Sequence, residues 1–242
     1  MAALNGNLVL FGGVGFSPVP GEPSYADTWI WNGAVWTELA VAGPAARGGA
    51  VMASLGDQAV LFGGAFDPNP GAFMGNDTML FADTWAWNGV KWTELSAGGP
   101  PARQAAVLAP LNHTLVLFGG LGAAGVVLGD TWIWDGVSWN VALMEGPPAR
   151  YGAVMAPFGG GLLLLGGTSG LELLSDVWKW DGSSWQLLSA SSPPDNFGAA
   201  MAPAGGELVL AAQQTWTWGG TAWAPQGSAG LPKRTGAVMA TP

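Results

Sequence analysis

Charged residues make up only 10% of this 242-residue chain, so those that recur in register are the first candidates for chemistry. Four aspartates, Asp27, Asp83, Asp130 and Asp176, stand in closely similar settings. Four arginines, Arg47, Arg103, Arg150 and Arg234, do the same, with Asn196 at a fifth equivalent place. Carboxylates can serve as general acids and bases, and converging guanidiniums can hold carboxylate, sulfate or phosphate groups. The periodicity of the aspartates argues against catalysis, because four equivalent copies at strand starts suit bonds to nearby backbone N–H groups. The arginines leave two readings open. Each can pair with an aspartate or cap loop carbonyls, or the set can ring one mouth of a channel and recognise an anion.

Other reactive groups are sparse. His113 is the single histidine and lies in Pro110-Leu-Asn-His-Thr114, which reads as a solvated turn between strands. There is no cysteine, hence no disulfide, thiolate metal site or cysteine nucleophile, and the redox compartment cannot be read. Asp67-Pro-Asn-Pro-Gly71 offers oxygen ligands but lacks calcium-loop spacing. No catalytic residue, metal site or cofactor is expected.

The elements that must position these groups are visible in Asp130-Thr-Trp-Ile-Trp-Asp-Gly-Val-Ser-Trp139. The stretch recurs at Asp27–Trp36, Asp83–Trp92, Asp176–Trp185 and, altered, Gln214–Trp223, and together the copies hold all 15 tryptophans. Alternation through Asp-Thr-Trp-x-Trp is a strand period. The pairs that follow, such as Asn32-Gly33 and Asp135-Gly136, suit a two-residue hairpin turn, which sets Trp29 opposite Trp36. Tryptophans repeated in this way are expected to pack between neighbouring sheets, with sugar stacking as the alternative.

Each hairpin is preceded by a buried strand ending in small residues: Leu8–Gly13, Ala59–Gly64, Leu115–Gly120, Leu162–Gly167 and a degenerate Leu208–Gln213. Each is followed by a Gly/Pro-rich turn and a fourth strand: Arg47–Ala53, Arg103–Ala109, Arg150–Ala156, Asn196–Ala202 or Arg234–Ala240. The period is roughly 50 residues.

Gly-Gly after an apolar strand, then Asp-Thr-Trp-x-Trp-[Asn/Asp]-Gly and a later Trp, resembles the kelch repeat. It is also similar to the kelch-type central domain of galactose oxidase. The resemblance implies an all-β kelch-type β-propeller of four-stranded antiparallel blades around a central axis, and the count of registered copies makes it five-bladed, a departure from the six or seven blades of most kelch domains. The blades are expected at about 1–41 plus 234–242, 47–97, 103–144, 150–190 and 196–226, as a single domain over 1–242. Met1–Asn7 aligns with Met52–Gln58, so Arg234–Ala240 is expected to supply the strand missing from the first blade and close the ring. Small residues on the arginine strands, Ala50, Ala106, Ala153, Ala199 and Ala237, suit crowding round a narrow axis.

The resemblance also bears on function. The copper centre of galactose-oxidase-like enzymes needs histidines, tyrosines and a cysteine. With one histidine and only Tyr25 and Tyr151, this chain cannot assemble it. The expectation is a noncatalytic recognition or scaffold module binding a protein or peptide, an acidic peptide included, at the loop-bearing mouth. The alternative is a carbohydrate-binding or sugar-modifying propeller. The candidate ligand contacts are Arg47, Arg103, Arg150, Arg234 and Asn196, with Phe16, Tyr25 and Phe73 from the long loops Val14–Ala26 and Ala65–Ala82. A monomer is expected.

The net charge of -9 argues against nucleic acid. Met1-Ala-Ala-Leu-Asn5 has neither the basic region nor the apolar run of a signal peptide. Val107–Gly129 is nearly apolar, but Asn112, His113, Thr114 and the repeat register divide it into two strands and a loop, so no membrane span is expected.

Overall fold

The computed structural model describes residues 1–15, 24–68, 78–95, 98–189, 191–194, 196–212 and 214–227. Five four-stranded antiparallel sheets follow one another round a central axis as the blades of a β-propeller. In blade three the strands run Val107–Leu111, Thr114–Leu121, Val127–Trp134 and Trp139–Ala142, from the axis outward. The other blades repeat this order with inner strands Ala2–Leu4, Val51–Leu55, Val154–Phe158 and Ala200–Ala204. One face of the ring carries the loops between second and third strands and the connections to the next blade. The opposite face carries the inner turns and the tryptophan hairpin loops.

The second strands sit in the middle of each sheet and read as continuous apolar runs, because both of their faces are covered. In blade three Leu115, Val116, Leu117 and Phe118 are all buried. The core therefore consists of layers between blades. Val107, Val116 and Phe118 of blade three, for example, pack against Leu162, Leu164, Trp180 and Trp185 of blade four.

The tryptophans act here. The third tryptophan of a blade inserts into the preceding blade and donates its indole N–H to the threonine of the Asp-Thr-Trp stretch. Trp92 bonds Thr28, Trp139 bonds Thr84 and Trp185 bonds Thr131, each at 2.9 Å. In blade four that threonine is replaced by Val177. The buried Nε1 of Trp223 in blade five has no partner.

The hairpin register differs from the expectation. Trp31 pairs with Trp36, and Trp29 lies opposite Glu38. The loop is four residues long because the Asn or Asp side chain caps it: Asn32 Oδ1 accepts the N–H groups of Ala34 and Val35, both at 2.9 Å. Asn88, Asp135 and Asp181 do the same. An Asx cap of this kind holds a longer turn than the Asn-Gly pair alone implies. It brings the second and third tryptophans together, with ring centroids 5.6 Å apart in blade one and 5.4 Å in blades two and three.

Blade one follows the register of the Met1–Asn7 and Met52–Gln58 alignment. Its inner place is occupied by Ala2–Leu4, paired with Asn7–Val14 through Ala2 opposite Val9. The expected closing strand, Arg234–Ala240, lies outside the described residues. The face of blade one turned away from blade two is less covered than its counterparts: Trp36 is 42% exposed, against 6% for Trp92 and Trp139. The apolar stretch 107–129 is divided into strands as the register required, and no helix among the described residues is long and apolar enough to cross a membrane.

Along the axis, Met1, Met52, Leu108, Met155 and Met201 stand at one level and separate two cavities that share them. The cavity on the loop-bearing side has a volume of about 520 Å³ and the other about 420 Å³.

Candidate functional site

The arginines expected to ring the mouth do not face solvent. Arg47, Arg103 and Arg150 are each 1% exposed. Each guanidinium makes a two-pronged ion pair with the aspartate of its own blade. Arg103 Nη1 and Nη2 donate to Asp130 Oδ1 and Oδ2 at 2.6 and 2.8 Å, and the Arg47–Asp83 and Arg150–Asp176 pairs match these distances. Arg103 also donates to Gly119 O at 2.9 Å and, through Nε, to Pro101 O at 3.0 Å. The planar fork suits the carboxylate, and the two carbonyls take two of its three remaining N–H groups. Arg47 further lies 3.9 Å over the Phe81 ring.

The same residues join blades through their backbones. Arg103 N–H donates to Phe81 O of blade two at 3.2 Å, and Gly64 N–H of blade two donates to Arg103 O at 2.9 Å. The backbone of each arginine is thus held by the preceding blade while its side chain is held by its own. This explains the Gly-Gly pair. A Cβ on Gly12 would lie 2.8 Å from Arg47 O, and one on Gly63 would lie 2.6 Å from Arg103 O, both closer than real contacts allow. Gly119 stands in the same relation to Arg150 O. These first glycines also have positive φ, which a side chain would strain.

Asp83, Asp130 and Asp176 are structural: beside the expected backbone hydrogen bond, each carboxylate meets an arginine fork and the indole N–H two residues on, as in Trp132 Nε1 to Asp130 Oδ2 at 2.7 Å. For Asp83, Asp130 and Asp176, burial alone would raise the carboxyl pKa. Hydrogen bonds from the arginine and tryptophan, with the guanidinium charge, outweigh it and hold all three below the usual range.

Blade five lacks both ends of this device, having Asn196 for arginine and Gln214 for aspartate. Asn196 is buried and turns inward locally, donating to Ser192 Oγ at 2.7 Å and Pro193 O at 3.0 Å. Of the other candidate contacts, Tyr25 is 40% exposed at the loop-bearing face. Phe16, Phe73 and Arg234 lie outside the described residues. The structure therefore does not assemble a positive ring from Arg47, Arg103 and Arg150, because each guanidinium is consumed in holding its blade.

The cavity on the loop-bearing side is lined by Gly, Ala, Val, Leu and Met, with Phe11 and the paired Arg47. A ladder of backbone bonds crosses its wall from blade to blade: Ala105 N–H to Gly49 O at 2.9 Å, Gly152 N–H to Ala105 O at 3.0 Å and Gly198 N–H to Gly152 O at 3.1 Å. No side chain of this lining offers a general base or nucleophile. Among the described residues, no group of three His, Cys, Asp or Glu side chains could hold a metal ion. His113 is an exposed turn residue on the opposite face.

Sequence reasoning missed a second feature of the loop-bearing face. The short loops of blades three and four present bare apolar side chains. Leu171 is 98% exposed, Leu143 88%, Leu173 61% and Val126 56%. Leu171 stands at the tip of a tied loop: Thr168 Oγ1 donates to Glu172 O at 2.8 Å, Ser169 N–H donates to the same oxygen at 3.1 Å, and Leu174 N–H donates to Gly167 O at 2.9 Å. A Cβ on Gly170 would lie 3.6 Å from Val127, and one on Gly129 would lie 3.0 Å from Ala149, so this loop and the 143–149 connection converge on the start of Val127–Trp134. A Thr-Ser-Gly-Leu-Glu run with its leucine at the tip was the only signal available in the sequence.

Five four-stranded blades, each with its tryptophan hairpin and four of them with a Gly-Gly strand, define a kelch-type β-propeller. The family profile described as "KLHDC2/KLHL20/DRC7 Kelch-repeats domain" matches residues 49–226, and the chain belongs to the kelch-repeat family. A solved structure titled "Structure of YjhT" is similar, with a TM-score of 0.76 at 17% identity over 99% of this chain and 85% of that one, which shows the shared fold. No curated protein matches. Kelch propellers are in general protein-interaction or scaffold modules and are generally noncatalytic.

Proposed function

We propose that this chain is a noncatalytic recognition module that binds a protein or peptide on the loop-bearing face. The observation that carries this is the set of bare apolar side chains on tied, short loops of that face, with Leu171 98% exposed at a loop tip. Large apolar groups held in place before binding lose little conformational entropy on association, which is what a recognition surface requires. The cavity lining, Gly, Ala and aliphatic side chains around an already paired Arg47, supports the absence of catalysis. A carbohydrate site would be favoured by an exposed Trp or Tyr beside a carboxylate and an arginine in one pocket, and Arg47, Arg103 and Arg150 are committed to aspartates.

Selection of short random peptides displayed against the intact chain tests the proposal. Leu171→Asp should abolish capture of the enriched peptides, while Val137→Asp, at an exposed site on the opposite face, should leave it intact. Equal losses from both variants, or loss from Val137→Asp alone, would overturn the reading.

A further inference from the structure

We infer that the partner of the blade-three and blade-four sector is a cationic segment carrying both apolar and basic side chains, and not an acidic peptide. This rests on the recognition function proposed above and names the chemistry of its partner. The sector comprises Val126, Leu143, Met144, Leu171 and Leu173, all exposed. Two exposed carboxylates are interleaved with them in sequence, Glu145 after Met144 and Glu172 between the two leucines of the tied loop. Neither makes a salt bridge among the described residues.

The cations are elsewhere. The chain has seven Lys and Arg residues. Arg47, Arg103 and Arg150 are buried in their ion pairs. Lys91 lies in the hairpin loop on the opposite face, and Lys179 reaches that face to donate to Gly159 O at 3.1 Å. Lys233 and Arg234 are outside the described residues. Among the described residues, then, no lysine or arginine is exposed on the loop-bearing face. An apolar sector with only carboxylates beside it, on a chain of net charge -9, repels acidic segments and attracts basic ones. The tied loop gives the contact its centre: leucine at the tip as apolar anchor, with Glu172 next to it to meet a lysine or arginine of the partner.

The test uses the intact chain and two classes of probe. Peptides enriched by the selection above are read for composition, and the best is titrated beside versions with every Lys and Arg replaced by Gln or by Glu. We expect enrichment of Lys and Arg together with Leu, Ile or Phe, and loss of binding in the Glu version. Glu145→Gln combined with Glu172→Gln should weaken the parent peptide about 3- to 10-fold, the range of two exposed ion pairs. Leu171→Asp should weaken it about 30-fold or more, as at an interface anchor. Raising salt from about 0.1 M to about 1 M should weaken it further as the screening length falls from ~10 Å to ~3 Å. Acidic or uncharged binders that still need Leu171, and that ignore salt and the combined Glu145→Gln and Glu172→Gln change, would overturn this inference and leave the recognition face standing. Binders indifferent to Leu171, or no binders at all, would remove both.

Discussion

Removing Asp130 while leaving Arg103 in place should destabilise the propeller severely. Arg103 is 1% exposed, and its guanidinium is bound by Asp130 at 2.6 and 2.8 Å, Gly119 O at 2.9 Å and Pro101 O at 3.0 Å. In Asp130→Ala the two carbonyls remain and the counter-charge is gone. Breaking a buried ion pair by removing one partner costs about 3–5 kcal/mol. The Asp130 side chain is 31% exposed, so water can reach the truncated site and the low end, about 3 kcal/mol, is expected. For a chain of this size that lowers Tm by about 6–12 °C. The opposite truncation, Arg103→Met, leaves a carboxylate that reaches water and keeps the Trp132 N–H at 2.7 Å, and should cost only about 1–2 kcal/mol. Arg103→Asn with Asp130→Gln copies the pair that blade five already tolerates at Asn196 and Gln214. Its loss should be at least about 1 kcal/mol smaller than the sum of Arg103→Asn and Asp130→Gln made singly. Urea unfolding followed by tryptophan fluorescence measures all five variants. A smaller loss in Asp130→Ala than in Arg103→Met, or strict additivity in the pair, would refute the reasoning.

Further outcomes are expected. Asp83, Asp130 and Asp176 have carboxyl pKa values below the ordinary range in the folded chain, and backbone N–H bonds hold Asp181 at about 2. Such groups contribute stability above the unfolded value of about 3.9 and lose it as pH falls through the folded values, so the urea midpoint should drop between about pH 4 and pH 2. A drop centred near pH 6 would contradict this. Ala105 has φ of 52° where the equivalent residues are glycines, so Ala105→Gly should raise stability by about 0.5–1 kcal/mol, checked by thermal unfolding; an unchanged or lower Tm counts against it. Val177→Thr should give the buried Trp223 N–H the acceptor that Thr131 gives Trp185, raising stability by about 1 kcal/mol in the same assay.

The architecture was legible because the repeat carries its own reasons. A Gly-Gly pair after an apolar run marks the place where the next blade's arginine carbonyl approaches, and Asp-Thr-Trp supplies acceptors for an arginine and two indoles. The sequence offered pairing with an aspartate and anion recognition as the two fates of the arginines, and could not choose between them. Arg103 and Asp130 are 27 residues apart, and they meet only because the third strand, antiparallel to the second strand that separates it from the inner one, starts at the same face of the blade as the inner strand. The hairpin register was misjudged because Asn32 contributes its side chain as well as its tolerance of unusual backbone angles. The apolar sector gave almost no periodic signal. Leu143 and Leu171 lie in loops that differ from blade to blade, and in a chain that is 49% hydrophobic an isolated leucine does not announce its exposure.

The central claim is that binding occurs on the loops of blades three and four. Amide hydrogen exchange on the intact chain, with and without a saturating selected peptide, tests it most directly. Slowed exchange is expected in residues 122–128, 143–149 and 168–174, with the hairpin loops at 32–35, 88–91, 135–138 and 181–184 unchanged. Slowing confined to those hairpin loops, or absent from all three loop segments while peptide is bound, would contradict the account.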